Sequence, residues 1–260
     1  VRAAGLPVVM VVNKIDRDRA DFQMAIDGLA GLNVKPVVLQ LPIRQGDTFV
    51  GVADVLTGKA RMFGDNGATA EAEIPAALAD DISLLRDVTV ENIAESDEVL
   101  MEKYLEEGIL SEDDLKTGLR AGVIKGELTP VLVCSALENK GGDAVLAAIE
   151  ALLPSPLDRP AFTGTDSAER ASDPDAPVAC LVFKTLADPF AGQLTLLRVL
   201  SGTINGDVNL KNMRTEDNER LGNMLYLTGK TQTPCKEPVG PGAIVAVAKL
   251  KNTRTGDTLC

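Results

Sequence analysis

Asn13-Lys14-Ile15-Asp16 sets an amide, an ammonium and a carboxylate within four residues, directly after the apolar run Val8–Val12. An ionised aspartate offers two acceptor oxygens and can take two parallel N–H groups at once. Guanine presents such a pair in its ring N–H and exocyclic amine, and adenine does not. Asn13 can tie neighbouring loops together or reach the base edge, and the Lys14 stem can lie along a purine face. The bland alternative is a loop leading into a helix cap, and N-K-x-D arises by chance in about 3 of 100 chains of this length. Position favours the functional reading, because ligands of doubly wound sheets bind beyond the carboxyl ends of the strands. Ser135-Ala136-Leu137 follows a second short apolar run, Val131–Cys134. Its small residues would let backbone N–H groups approach a base carbonyl such as guanine O6. Ser-Ala alone is a common helix lead-in; paired with N-K-x-D it becomes informative.

Other glycine-containing motifs carry less. Gly229-Lys230-Thr231 ends like a phosphate loop, but G-x-x-x-x-G-K-[ST] needs glycine where Met224 stands. Gly240-Pro241-Gly242 is turn chemistry, with no G-x-G-x-x-G. The chain has no histidine, which excludes Ser-His-Asp and Cys-His catalysis. Cys134, Cys180, Cys235 and Cys260 have no C-x-x-C spacing, so neither a zinc site nor a redox dithiol is supported. They read as scattered thiols of a cytosolic protein. No catalytic residue and no metal ligand is assigned.

These loops need strands to hold them. Val8–Val12 has no polar alternation, which suits a strand buried on both faces of a parallel sheet. Asp18 or Asp21 would cap a helix carrying Phe22, Ala25, Ile26 and Leu29. Val37–Leu41 reads as a strand closed by Pro42; Val50–Val55 and Ala60–Phe63 follow around Thr57-Gly58, and Gly64–Gly67 is loop. From about Pro75 to Glu107 the pattern is helical, with Ile82, Leu85, Thr89 and Ile93 on one flank. Asp87, Glu91, Glu95, Glu98 and Glu102 recur at steps of 4, 4, 3 and 4, one exposed acidic stripe at 100° per residue. Ser111 and Asp114 form a near-capping box opening another helix. An apolar helix, Gly142–Leu153, stops at Pro154. Residues 154–176 read as a linker. Beyond Pro177, short strands at Val178–Lys184, Leu194–Ser201, Val208–Leu210, Arg220–Leu227 and Ala243–Leu250 argue for a small antiparallel barrel.

The 260 residues carry 26 basic and 38 acidic side chains, net -12, and 45% are apolar. The charge is uneven: net 0 over 1–33, -10 over 34–129, -5 over 130–176 and +3 over 177–260. Non-specific nucleic-acid binding needs clustered cations; the middle segment cannot supply them, and suits a basic protein surface instead. No apolar run approaches the roughly 20 residues of a membrane span. The start at Val1, without Met and just ahead of a strand, reads as an internal piece.

Taken together, these segments resemble the elongation factor G family of translational GTPases. The resemblance rests on Asn13-Lys14-Ile15-Asp16-Arg17 with Ala20-Asp21-Phe22, Gln40-Leu41-Pro42-Ile43, Met101-Glu102-Lys103-Tyr104-Leu105, and Ser135-Ala136-Leu137 with Asn139-Lys140-Gly141. Leu153-Pro154-Ser155-Pro156, Phe183-Lys184, Asp188-Pro189-Phe190 with Gly192 and Leu194, and Thr255-Gly256-Asp257-Thr258-Leu259 extend it. Leu225–Thr233 is closer to the elongation-factor-G-like paralogues. The resemblance implies an α/β remnant of a P-loop-type G domain (residues 1–33 and 130–153) with an inserted α+β subdomain at 34–129, then an all-β translation-factor barrel at 177–260. It implies GTP or GDP as ligand, with Asn13, Lys14, Asp16, Ser135, Ala136 and Leu137 around the guanine. It also implies a ribosomal partner: stalk proteins at Asp87, Glu91, Glu95, Glu98 and Glu102, and small-subunit RNA at the barrel. The phosphate loop, switches and Mg²⁺ ligands would precede Val1, so the piece itself should not hydrolyse GTP. A ribosome-protection or release-factor GTPase and a non-enzymatic docking module are the alternatives. An unpaired edge on the Val8–Val12 strand would permit self-association.

Overall fold

A computed structural model describes residues 4–64, 68–165, 169–188 and 192–260, which divide into two units, residues 1–153 and 154–260. In the first unit, β1 (Met10–Val12) leads through α1 (Phe22–Gly28) to β2 (Pro36–Val38). An antiparallel meander follows: β3 (Gln40–Gln45), β4 (Thr48–Asp54), β5 (Ala60–Phe63) and β6 (Thr69–Ala72). Then come α2 (Ala79–Glu95), α3 (Glu98–Glu107), α4 (Glu112–Lys125), β7 (Thr129–Val133) and α5 (Gly142–Leu152).

β1, β7 and β2 form a parallel sheet in that order, with β7 in the middle and buried along its whole length. β1 is therefore an edge strand, and Val11 keeps 37% of its surface exposed, where burial on both faces was expected. Val37–Leu41 is not one strand. Leu39 N–H still donates to Val131, but its carbonyl accepts from Val55, so the chain passes there from the parallel sheet to the meander. Pro42 lies inside β3 instead of closing a strand. β3 is the outer strand of its sheet, where a missing N–H costs no ladder bond.

Of the loop expected at Gly64–Gly67, residues 65–67 lie outside the described residues. The helical stretch to Glu107 is also two helices, not one. Ser96 ends α2, and Asp97 turns extended and accepts from the N–H groups of Val99 and Leu100, starting α3. Ser111 and Asp114 cap α4 reciprocally, and Lys103 reaches Asp114 at 2.6 Å. Lys103 first, then Ser111, hold the Asp114 carboxyl down to about 2. α4 packs closely because Gly118 and Gly122 stand where any Cβ would strike Ile93, Leu100 or Leu128. Val37, Leu39, Ile93, Leu119, Val123, Leu132 and Leu152 share its core.

The second unit opens with a short hairpin, β8 (Phe162–Thr163) and β9 (Glu169–Arg170). It continues with β10 (Ala179–Asp188), β11 (Gly192–Ser201), β12 (Val208–Lys211), β13 (Asn218–Leu221), β14 (Leu225–Thr228), β15 (Thr231–Pro234), β16 (Ile244–Ala248) and β17 (Thr258–Leu259). Six strands pair in the order β15-β14-β16-β11-β10-β17. Lys211 and Cys260 exchange backbone hydrogen bonds, joining β12 to the chain after β17 and extending the barrel wall. The interior is aliphatic, including Val182, Leu197, Val199, Ile204, Leu221 and Leu259.

Two expectations change here. The end of the stretch 154–176 is tied to the barrel: Asp173 and Pro174 carbonyls accept from Gly202 N–H and the Thr203 hydroxyl, and Ser172 is buried. Hydrogen bonds, not apolar periodicity, anchor that segment. Arg220–Leu227 is two strands, interrupted at Gly222–Met224. Gly229-Lys230 is the turn of the β14–β15 hairpin, with Gly229 at φ +61. Pro189 and Phe190, part of one family-like segment, lie outside the described residues.

Candidate functional site

Val12 and Val133 are register partners in the parallel pair β1–β7, so the loops that follow leave the sheet side by side. Cys134 N–H donates to Val12, carrying the pairing one step further. Asn13 then joins the two loops through one atom. Its Oδ1 accepts from Lys14 N–H at 2.7 Å, from Ala136 N–H at 3.0 Å and from the Cys134 thiol at 3.4 Å. Lys14 sits in the left-handed region at φ +64, a conformation rare for a side-chain-bearing residue. Ile15 turns inward and is buried with Phe49, Val52 and Val133, anchoring the loop from below.

Asp16 faces the other loop. Its side chain is 9% exposed, and Oδ1 is buried without a hydrogen-bond partner of normal geometry. The Ser135 side chain beside it is the main influence holding the Asp16 carboxyl below the usual carboxylate range. Burial pushes the other way, while the Asp16 backbone, Arg17 and Lys140 add to the lowering. Arg17 Nε stands 3.8 Å from Oδ2, an exposed cation at the rim. Apart from the Ser135 side chain the protein supplies this carboxylate with little, and a charged carboxylate has two acceptor oxygens for the N–H donors of a ligand. Leaving such an atom unpaired is costly, and the N–H pair of a guanine edge would satisfy it. Asn13, Lys14, Ala136 and Leu137 are exposed, Leu137 at 77%, so the site is an open shelf.

Ser135 is fully buried; its backbone pairs both ways with Lys140, and its Oγ accepts from Glu138 N–H. Gly141 at φ +79 lets the loop return beneath Val133, since a Cβ there would lie 2.7 Å from the Val133 carbonyl. Two residues not singled out in the sequence also hold these loops. Arg44 donates to the carbonyls of Ile15 and Ala20, and Lys140 donates to that of Phe49. Lys140 lay within a family-like segment; Arg44 had no motif to mark it. The acidic positions are all exposed but do not share one helix: Asp87, Glu91 and Glu95 lie on α2, Glu98 and Glu102 on α3. Glu95 is paired with Lys35 at 2.6 Å.

Residues 177–260 match the family model described as Elongation factor G domain 2. Elongation factor G of Neorickettsia sennetsu (strain ATCC VR-367 / Miyayama) is 42% identical over 264 residues, covering 98% of this chain. Nearly the whole chain is similar to elongation factor G. It spans 38% of the length of that relative. A crystal structure of a Thermus thermophilus protein superposes with a TM-score of 0.84 at 30% identity, covering 99% of this chain and 36% of that one. Residues 177–260 of the second unit thus resemble elongation factor G domain 2, and the sheets and helices of the first unit fall within the stretch aligned to the Neorickettsia sennetsu relative.

Proposed function

We propose that this stretch serves a ribosome-associated translational GTPase of the elongation factor G type, and that its own part in the chemistry is to read guanine. Asp16 would accept from the ring N–H and exocyclic amine, Asn13 would lock the two loops, Lys14 would cover the base, and Ser135, Ala136 and Leu137 would close the pocket around O6. The parallel sheet would then be part of a P-loop-type G domain, with residues 34–129 as its inserted subdomain. The observation that carries this reading is the buried, unpartnered Asp16 Oδ1, set beside a loop clamped by the Asn13–Ala136 bond.

No residue of these 260 is assigned to phosphate, Mg²⁺ or the hydrolytic step, so GTP hydrolysis belongs to the whole protein. This polypeptide alone would bind GDP weakly, because a base contact without a phosphate clamp supplies little affinity. The test is Asp16→Asn in the full-length protein. An amide donates to the carbonyl that xanthine carries in place of the guanine amine, so preference should pass from GDP to XDP. A competition in which GDP still wins would remove Asp16 from this role.

A second reading concerns partners: this polypeptide would act as a ribosome-docking module. Leu84 and Val88 are exposed beside Asp87 and Glu91 on α2, an apolar strip edged by carboxylates that suits a basic stalk protein. The barrel, net +3 over 177–260, would face small-subunit RNA. Reversing Glu91 and Glu95 to lysine should abolish stalk-protein binding; unchanged binding places that contact elsewhere. Self-association through the edge of β1 would show as a concentration-dependent sedimentation coefficient, and a strict monomer would refute it.

A further inference from the structure

The loop that carries Asp16 is held by a residue from another sheet. Between Ile43 and Arg44 the β3–β4 ladder shifts register, and such irregularities re-aim side chains. Arg44 Nη1 lies 3.1 Å from both the Ile15 and the Ala20 carbonyl oxygens, while Nη2 donates to the Asp47 carbonyl at 2.7 Å. One guanidinium thus spans the start and end of the segment Ile15–Ala20 and pins both to its own hairpin. The Ile15 carbonyl belongs to the peptide that enters Asp16, so fixing it fixes the plane from which the Asp16 side chain departs. Lys14, just before, holds the left-handed conformation at φ +64, and a cationic donor nearby opposes relaxation of that turn.

The opposite loop is tied to the same hairpin. Lys140 donates to the Phe49 carbonyl, and Phe49 is the register partner of Arg44. Ile15, Phe49, Val52 and Val133 pack together beneath both loops.

We infer that Arg44 is a positioning residue for base selection: by gripping Ile15 and Ala20 it sets the direction of the Asp16 carboxylate. This inference rests on the guanine reading proposed above. It places the β3–β4 hairpin in mechanical contact with the selectivity element, so displacement of the hairpin would alter base preference.

The experiment measures GDP, IDP and XDP dissociation constants in the full-length protein for wild type, Arg44→Ala, Arg44→Lys and Asp16→Asn. IDP lacks the exocyclic amine, so the preference ratio, the IDP dissociation constant divided by that of GDP, reports the contact between Asp16 and the amine. Arg44→Ala should lower that ratio by about tenfold, the scale of a lost charged hydrogen bond. Arg44→Lys should restore part of it by serving one carbonyl. A merely structural arginine would weaken GDP and IDP equally and leave the ratio unchanged, which would overturn the inference. If Arg44→Ala does not fold, the lysine variant decides: a ratio within twofold of wild type overturns the inference, and a larger fall supports it. Asp16→Asn separates the two failures. A shift to XDP with an unmoved Arg44 ratio rejects Arg44 alone; no shift to XDP rejects the guanine reading and the inference with it.

Discussion

Asp16 in the first unit and Asp257 in the second are both carboxylates with little exposed surface, yet the protein treats them oppositely. Asp257 accepts from Arg214 at two oxygens, from Asn212 Nδ2 and from Arg254 N–H. Glu219 nearby is equally supplied, by the N–H groups of Lys251 and Asn252 and the Thr253 hydroxyl. Every such donor comes from the barrel itself. Asp16 instead keeps a buried oxygen without a partner, beside a residue in a left-handed turn. A fully supplied carboxylate is a fastening, and removing it leaves its partners stranded. A carboxylate held charged but undersupplied is set out for something else to bind.

The contrast can be broken most forcefully at the fastening. Asp257→Asn should cost the barrel about 2 kcal/mol, the scale of charged hydrogen bonds lost at a buried carboxylate whose Arg214 partner stays 37% exposed, read as a fall in the urea midpoint. The Arg214 guanidinium holds the Asp257 carboxyl far below the usual carboxylate range, with Asn212 and Arg254 assisting against burial. The folded form therefore binds the proton less readily than the unfolded chain. The stabilisation is complete above the unfolded value of about 4, and is lost as pH falls through it towards the lower folded value. Wild-type stability should thus drop below about pH 4 more steeply than that of Asp257→Asn; parallel pH profiles would show that the pairing is not what stabilises.

A comparable effect is expected at the shelf's hinge. Gly141→Ala must hold φ +79 and crowd the Val133 carbonyl, which should cost about 2 kcal/mol and weaken nucleotide binding in the whole protein. Undiminished binding would detach that loop from the site. The smallest expected change in stability is at Asp16 itself. Asp16→Asn should lower the urea midpoint only slightly, by the small stabilisation that its lowered carboxyl reflects, while altering base preference. A large loss of stability would make Asp16 a second fastening and erase the distinction.

The sequence exposes these two regions unequally. The β-branched runs at Val8–Val12 and Val131–Cys134 announce strands, and N-K-x-D announces its own chemistry by composition and position. Ser111 with Asp114 marks a helix start because the capping bonds are local. What escapes is what depends on partners distant in the chain. The apolar run Val37–Leu41 conceals its change of sheet at Leu39, because both sheets ask for the same residue types. The acidic periodicity runs past Asp97 without a break, although that residue caps a new helix. Arg44 looks like any polar strand residue until the register shift aims it at Ile15. The stretch 154–176 shows no apolar periodicity, and the carbonyls of Asp173 and Pro174 that tie its end to Gly202 and Thr203 leave no mark in side-chain type.

The most direct measurement of guanine reading is a structure of the full-length protein with GDP bound. Both Asp16 carboxylate oxygens should lie about 3 Å from the base, one on the ring N–H and one on the exocyclic amine, with the Ala136 loop beside O6. A guanine bound elsewhere, or an Asp16 carboxylate turned from the base towards Arg17, would contradict it.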